Sequence, residues 1–155
     1  MERTCCLRTP AGPLSVTATD EAVTAVRFGA FGPAADPEEE LPPVLAQAVG
    51  QLREYFAGER REFSLPLAPQ GTPFQRKVWA ALCEIPYGET RTYGQIAARI
   101  GQPGAARAVG MANNRNPVGV VVPCHRVVGA SGALVGYAAG LPVKEFLLRL
   151  EAGHK

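Results

Sequence analysis

A Pro- and Gly-containing stretch near the middle of the chain constrains the fold most, because it separates two segments of opposite charge. Ala68-Pro69-Gln70-Gly71 has the composition of a linker. Residues 1–70 contain six Lys and Arg against ten Asp and Glu, and residues 71–155 contain ten against four, so that −4 and +6 give the net charge of +2. The 155 residues suit one compact domain or two small ones, and this stretch is the best candidate for a boundary between residues 1–70 and 71–155.

The first segment has the pattern of a small α/β domain with an antiparallel sheet. Strand-like runs occur at Thr4–Thr9, Leu14–Thr19, Ala22–Phe28 and Phe63–Leu67. Pro10-Ala11-Gly12-Pro13 predicts the turn between the first two strands. Apolar residues at helical spacing predict a helix from about Pro43 to Phe56. The acidic run Glu38–Glu40 predicts a solvated surface.

The second segment predicts a mostly helical domain. Thr72 and Thr92 are each followed by Gln three residues later, which is the pattern of a capping box at a helix start. The second of these helices ends near Gly101, and a short helix from Ala105 to about Ala112 follows it. Two short helices around a Gly-containing turn are typical of a helix-turn-helix. A last helix begins near Pro142, so the chain as a whole has the pattern of an α+β protein.

Composition argues against several classes of protein. The longest nearly unbroken apolar run, Pro117–Cys124, is far shorter than the roughly 20 residues of a membrane span. No signal-peptide pattern follows the N-terminus, so a cytoplasmic protein without a membrane partner is expected. Cys5 and Cys6 are neighbours and poor disulfide partners, which favours a reducing compartment. The four cysteines and two histidines show no zinc-ligand spacing, so no metal is expected.

The basic second segment indicates a polyanionic partner. The helix Ala105–Ala112 carries few hydrogen-bonding side chains, whereas helices that read the major groove present Arg, Asn or Gln. Small side chains instead allow close approach to the DNA backbone, which fits a narrow groove and binding without sequence preference. Its single Arg107 could then enter the base stack. A small-residue helix packed inside the protein fits the same pattern.

Cys124 and His125 are the residues best suited to chemistry. A thiol reacts as the thiolate, and an imidazole polarised by a carboxylate can take its proton. Glu145, early in the last helix, is the candidate carboxylate. Val118–Val122 predicts a buried extended segment leading to the pair. Adjacent side chains on a strand point to opposite faces, so the pair cooperates only through a turn or a bridging water. The dipeptide alone is also compatible with a buried, inert Cys124.

Pro123-Cys124-His125-Arg126-Val127 resembles the active-site signature of the O6-alkylguanine-DNA alkyltransferases, also called methylated-DNA–protein-cysteine methyltransferases. The resemblance covers about residues 71–152, whereas the N-terminal meander resembles the family's first domain only loosely. Further motifs occur in the family's order and spacing: Phe74-Gln75 through Val78-Trp79, Ile85-Pro86-Tyr87-Gly88, Thr92-Tyr93, Ala105–Gly110, Asn116-Pro117, Gly136-Tyr137 and Lys144-Glu145.

This resemblance implies repair of double-stranded DNA by irreversible, single-turnover transfer of an alkyl group from O6-alkylguanine to Cys124, without a cofactor. It leaves open whether O4-alkylthymine is accepted. It implies two domains, a small α/β domain over 1–70 and a helical, winged-helix-like domain over 71–155. It further implies minor-groove binding by the helix-turn-helix and flipping of the damaged base out of the stack. A monomer in solution is expected, and cooperative binding along DNA is left open.

The resemblance also implies roles for individual residues. Cys124 is the alkyl acceptor, His125 its base acting through water, and Glu145 the carboxylate that orients His125. Asn116 hydrogen-bonds in the segment before the nucleophile, and Tyr93 contacts the guanine or its phosphate. The implied DNA-binding residues are Ala105, Ala106, Arg107, Gly110, Arg115 and Arg126, and the implied pocket residues are Val127, Tyr137 and Ala138. Ala139 departs from the Gly of many bacterial members and would be strained at a positive φ.

Three other functions fit parts of the pattern. A damaged-DNA binding protein would recognise the lesion with an unreactive Cys124. A cysteine hydrolase would use Cys124, His125 and Glu145 with turnover and an oxyanion hole, for which the sequence has no dedicated motif. A transcription regulator is disfavoured because Ala105–Ala112 offers so few side chains that read bases.

Overall fold

The computed structural model describes residues 2–35 and 40–155. The chain divides into two compact units, Met1–Pro69 and Gln70–Lys155. Glu38 and Glu39, part of the predicted acidic surface, lie outside the described residues. Within the described ranges, no helix has the length and apolar character needed to cross a membrane.

The N-terminal unit is an antiparallel sheet covered by one helix. Its elements are β1 (Arg3–Thr9), β2 (Gly12–Ala18), β3 (Val23–Phe28) and α1 (Pro43–Phe56), with the strands in the order β1-β2-β3. Strand residues Leu14 and Val16 and helix residues Leu45 and Leu52 are buried in its core. The three predicted strands and the helix are confirmed.

The predicted fourth strand at Phe63–Leu67 is wrong, because only an isolated bridge joins Leu67 to Val23. Two backbone hydrogen bonds flank this bridge, from Val23 N–H to Pro66 and from Ala68 N–H to Val23. Pro66 has no N–H to donate, so a regular ladder cannot continue through it.

The C-terminal unit is mostly helical. Its elements are α2 (Pro73–Leu82), β4 (Arg91–Thr92), α3 (Tyr93–Arg99), α4 (Ala106–Asn114), a 3₁₀ turn (Cys124–Arg126), β5 (Val127–Val128) and α5 (Leu141–Ala152). Both capping boxes are formed, with Thr72 and Gln75 starting α2 and Thr92 and Gln95 starting α3. Helices α3 and α4 pack together as the predicted helix-turn-helix. The Trp79 indole donates to the carbonyl of Ala112 at 2.8 Å and ties α2 to α4.

The segment before the 3₁₀ turn differs from its prediction. Val118–Val122 is mostly buried as expected, but it forms consecutive turns instead of an extended run. The Val121 N–H donates to Gly119 at 2.7 Å, and the Val122 N–H donates to Val118 at 3.0 Å. Val120 has φ of 68°, a left-handed conformation that β-branched residues rarely adopt. The chain therefore turns immediately before Cys124.

Candidate active site

Asn116, which follows α4, shapes the turn that leads to the cysteine. Its Oδ1 accepts a hydrogen bond from Val118 N–H at 3.0 Å, and its Nδ2 donates to the carbonyl of Val122 at 2.8 Å. The Asn116 amide therefore bonds to both ends of the turn. These hydrogen bonds replace those that the backbone would make to a neighbouring strand if the segment were part of a sheet. This support explains how the strained backbone of Val120 can persist.

Cys124 opens the 3₁₀ turn and is 6% exposed. Burial raises the pKa of its thiol. Hydrogen bonds from the Asn116 and Tyr137 side chains and the positive charge of Lys144 act in the opposite direction on this pKa. These three side chains thus favour the thiolate, yet the raised pKa of the thiol means that a base is needed to form it.

His125 is fully buried, and its Nε2 lies 2.6 Å from Oε2 of Glu151. Burial lowers the pKa of His125 more than Glu151 raises it, so the imidazole is neutral at neutral pH. Because an ionised carboxylate only accepts hydrogen bonds, Nε2 carries the proton and Nδ1 keeps a lone pair. Nδ1 is buried without a hydrogen-bond partner among the described residues. It is therefore the ring atom that can accept a proton.

Glu151 is the carboxylate of the site, and it is completely buried on α5. Besides His125, it accepts hydrogen bonds from Nε of Arg126 at 2.8 Å, from Nη2 of Arg126 at 3.0 Å and from Gly88 N–H at 3.2 Å. Burial alone would raise the pKa of Glu151, but the hydrogen bonds and charges of His125 and Arg126 outweigh it and hold the pKa well below its ordinary value. Glu151 is therefore ionised and fixed in position.

The expectation that Glu145 polarises His125 is wrong. Glu145 instead forms an ion pair with Arg149 at 2.6 Å, and 47% of its side chain is exposed. The buried residues of α5 are Lys144, Leu147 and Glu151. Their i, i+3, i+7 spacing places them on one face of the helix, and Glu145 lies outside this stripe. That spacing is the sequence signal that points to Glu151.

Arg126 is buried beside the active site, and its predicted place on a DNA-binding surface is wrong. It is only 6% exposed, and its guanidinium holds Glu151 on one side. On the other side its Nη1 donates to the carbonyl of Ile85 at 2.7 Å. The charge of Arg126 is thus used inside the protein, where it neutralises a buried carboxylate.

Lys144 and Tyr93 hold the loop that precedes α5. The Tyr93 hydroxyl donates to the carbonyl of Val135 at 2.8 Å. Nζ of the fully buried Lys144 donates to Val135 and Gly136, both at 3.0 Å, and lies 5.9 Å from the centroid of the Tyr93 ring. Sequence reasoning assigns no role to Lys144, although it shares the buried stripe of Glu151.

Of the residues expected in the substrate pocket, Tyr137 and Ala138 lie in the same loop and Val127 lies in β5. Burial, and then the nearby Cys124, raise the pKa of Tyr137, so its hydroxyl keeps its proton and can donate a hydrogen bond. Val127 is buried in β5, whereas Ala138 is exposed. Ala139 does not have a positive φ, whereas its neighbours Gly136 and Gly140 do, at 64° and 99°. The strain considered for Ala139 therefore does not arise.

Two relatives match nearly the whole chain. A methylated-DNA–protein-cysteine methyltransferase of Methanosarcina acetivorans is 52% identical over 145 residues, covering 92% of this chain and 93% of its own. One of Mycolicibacterium paratuberculosis is 52% identical over 147 residues, covering 94% and 89%. Residues 73–153 match the model of the 6-O-methylguanine DNA methyltransferase, DNA binding domain, and residues 5–69 match that of its ribonuclease-like domain. The chain belongs to this methyltransferase family.

Solved structures agree with this assignment. The Mycobacterium tuberculosis O6-methylguanine methyltransferase superposes with a TM-score of 0.88 at 46% identity, covering 100% of this chain and 95% of the other. The OGT of the same organism in complex with DNA superposes with a TM-score of 0.86 at 46% identity, covering 97% and 93%. This methyltransferase therefore shares its fold with a relative whose structure has been solved in complex with DNA.

Helix α4 of this methyltransferase presents a row of exposed side chains. Arg107 and Met111 on α4 and Arg115 directly after it are exposed at i, i+4 and i+8, and Met111 is 60% exposed. Ala105 and Ala106, also predicted to bind DNA, are half-buried at the start of the helix. Gly110 is predicted there too, but a Cβ on it would lie 3.7 Å from the ring of Tyr93, so it faces α3. The sequence alone assigns no role to Met111.

All four cysteines of this methyltransferase are free. Cys5 and Cys124 are buried, and Cys83 is exposed. Among the residues that the structure describes, no group of three His, Cys, Asp or Glu side chains is placed to hold a metal ion.

Proposed function

We propose that this protein repairs DNA by moving the alkyl group of O6-alkylguanine onto Sγ of Cys124. One observation supports this most strongly: Cys124 directly precedes His125 in a buried 3₁₀ turn, and Nε2 of His125 lies 2.6 Å from Oε2 of the buried Glu151. A thioether is a poor leaving group, so each molecule acts once.

His125 removes the proton from the Cys124 thiol. Glu151 accepts the Nε2 proton of the imidazole and leaves Nδ1 as the base. We place one water between Nδ1 and the thiol as the relay, since the two side chains leave adjacent positions of the 3₁₀ turn. Burial keeps His125 neutral and therefore ready to accept a proton.

The thiolate then attacks the alkyl carbon. An S–C bond forms while the C–O6 bond breaks, and the electron pair of the broken bond stays on the guanine. The guanine takes up a proton, so the proton lost by the thiol is balanced. The Tyr93 hydroxyl stabilises the developing charge by hydrogen bonding. It can leave Val135 for the substrate because Lys144 also donates to that carbonyl.

Helix α4 is the element that we place in the minor groove. Its small side chains and the exposed apolar Met111 fit a close approach to sugar and backbone, and Arg115 suits a phosphate contact. Exposed Arg107 enters the stack where the damaged base has left it. We propose that the protein acts as a monomer. We also propose that it acts in a reducing, cytoplasmic compartment, because Cys124 must stay a free thiol.

Intact-mass measurement tests the proposal. Wild-type protein incubated with excess duplex containing O6-methylguanine should gain one methyl per chain, and peptide mapping should place it on Cys124. Cys83→Ser should behave like the wild type, and Cys124→Ser should bind the duplex but keep its mass. Turnover beyond one equivalent would indicate a hydrolase. Binding with the methyl group left on the DNA would indicate a lesion-binding protein.

Arg107→Ala should slow repair of duplex DNA while leaving the reaction with the free base intact. Flipping a base costs a few kcal/mol, and each 1.4 kcal/mol is tenfold, so we expect a loss of at least about 10-fold at saturating duplex. Arg115→Ala is the matched control on the same face and should weaken DNA binding alone. Single-turnover rates on duplex and on free O6-methylguanine separate the two. Equal slowing of both substrates by Arg107→Ala would refute its role in flipping.

A further inference from the structure

Asn113 connects the last turn of α4 directly to the nucleophile. It is only 1% exposed, and its Nδ2 donates to the backbone carbonyl of Cys124 at 3.3 Å. Asn116 bonds to the turn before the cysteine, whereas Asn113 bonds to the cysteine's own peptide group. The helix that exposes Arg107 and Met111 on its outer side is thus attached to Cys124 from its inner side.

The hydrogen bond from Asn113 is not needed to satisfy the carbonyl. That oxygen already accepts from the N–H of Val127 within the 3₁₀ turn. The Asn113 Oδ1, in turn, is buried without a hydrogen-bond partner among the described residues. Burying an acceptor without a hydrogen bond destabilises the folded protein, so an apolar side chain of similar size would give about the same stability. Packing stability alone therefore does not explain an amide at this position.

We propose that Asn113 is a positioning residue that fixes the direction of the Cys124 side chain relative to α4. Two hydrogen bonds to one carbonyl, from Asn113 and Val127, hold the peptide plane of Cys124 and with it the orientation of the Cα–Cβ bond. Since α4 is the element proposed to lie on DNA, the sulfur keeps its alignment with a base extruded beside that helix. The inference rests on the alkyl transfer proposed above.

Asn113→Leu tests this role, because leucine fills a similar volume and cannot donate. We expect single-turnover methyl transfer at saturating duplex to slow by about 10-fold or more, since small misplacements of reacting atoms are costly. DNA affinity and alkylation of Cys124 by iodoacetamide should stay unchanged, because neither requires that alignment. The melting temperature should shift by less than about 4 °C. Gln51→Leu, which removes the buried amide bonded to Ser64 in the N-terminal unit, is the matched control and should retain the wild-type rate.

The possible outcomes distinguish the positioning role of Asn113 from the alkyl transfer on which it rests. Parallel loss of transfer, DNA affinity and iodoacetamide reactivity would overturn the positioning role in favour of a structural one, and an unchanged transfer rate would overturn it outright. A wild-type protein that transfers nothing would overturn both proposals. If Asn113→Leu does not fold, Asn113→Asp decides: its protonated carboxyl can donate to Cys124, and its ionised form cannot. Methyl transfer by Asn113→Asp should then decline with rising pH, whereas transfer by the wild type should not. A pH profile parallel to that of the wild type would overturn the positioning role of Asn113.

Discussion

Replacing Glu151 with Gln should remove most of the alkyl transfer and also destabilise the C-terminal unit. The amide introduced by Glu151→Gln can donate to Nε2 of His125, which would move the imidazole proton to Nδ1 and leave no base for the thiol. General-base catalysis contributes typically 10²–10⁴-fold, so we expect a loss of at least about 100-fold. Arg126 would lose its buried carboxylate partner, which should lower the free energy of unfolding by about 3–5 kcal/mol.

Glu145→Gln is the matched control for this substitution, since both glutamates lie on α5 six residues apart. Its exposed pair with Arg149 should contribute no more than about 1 kcal/mol, and its transfer rate should equal that of the wild type. Single-turnover rates measured well below both melting transitions separate chemistry from stability, and denaturant unfolding gives the stability. Equal effects of the two substitutions would contradict the assignment of Glu151.

The elements that could be predicted from the sequence are those with local causes. Capping boxes at Thr72 and Thr92 start two helices because the Thr and Gln side chains satisfy nearby backbone groups. The helix at Pro43–Phe56 follows from its own apolar stripe. The active-site turn could not be predicted in this way. Val118–Val122 is apolar enough for a buried strand, but the side chain of Asn116 takes over the backbone hydrogen bonds.

The carboxylate and the buried arginine of the site could not be assigned from the sequence, because their partners are distant along the chain. Arg126 is basic and adjoins the nucleophile, which favours a DNA contact when the sequence is taken alone. In the fold it meets Glu151, 25 residues further on, and is buried with it. Glu145 lies closer to the cysteine along the chain than Glu151 does, yet helical spacing turns only the latter inward. Which charges become paired inside a protein depends on tertiary contacts that no local pattern contains.

Lys144→Met should shift the reactions of the Cys124 thiol to higher pH. Methionine keeps the unbranched apolar stem and removes the charge that lowers the pKa of Cys124. Without that charge the thiol is harder to ionise, so its pKa rises. The thiolate fraction at neutral pH then falls about 10-fold for each pH unit by which that pKa increases. Iodoacetamide, which needs only the thiolate, should therefore react more slowly at neutral pH and recover fully in alkali.

Methyl transfer by Lys144→Met should recover only in part at high pH, because the substitution has a second effect. The carbonyl of Gly136 loses its hydrogen bond from Nζ, and Val135 keeps only that from Tyr93. Tyr93 then cannot turn to the guanine without leaving a carbonyl unpaired. Lys77→Met, an exposed lysine on α2, should follow the wild-type profile with both reagents. An unshifted iodoacetamide profile for Lys144→Met would show that this lysine does not stabilise the thiolate, and full recovery of methyl transfer in alkali would show that its charge alone matters.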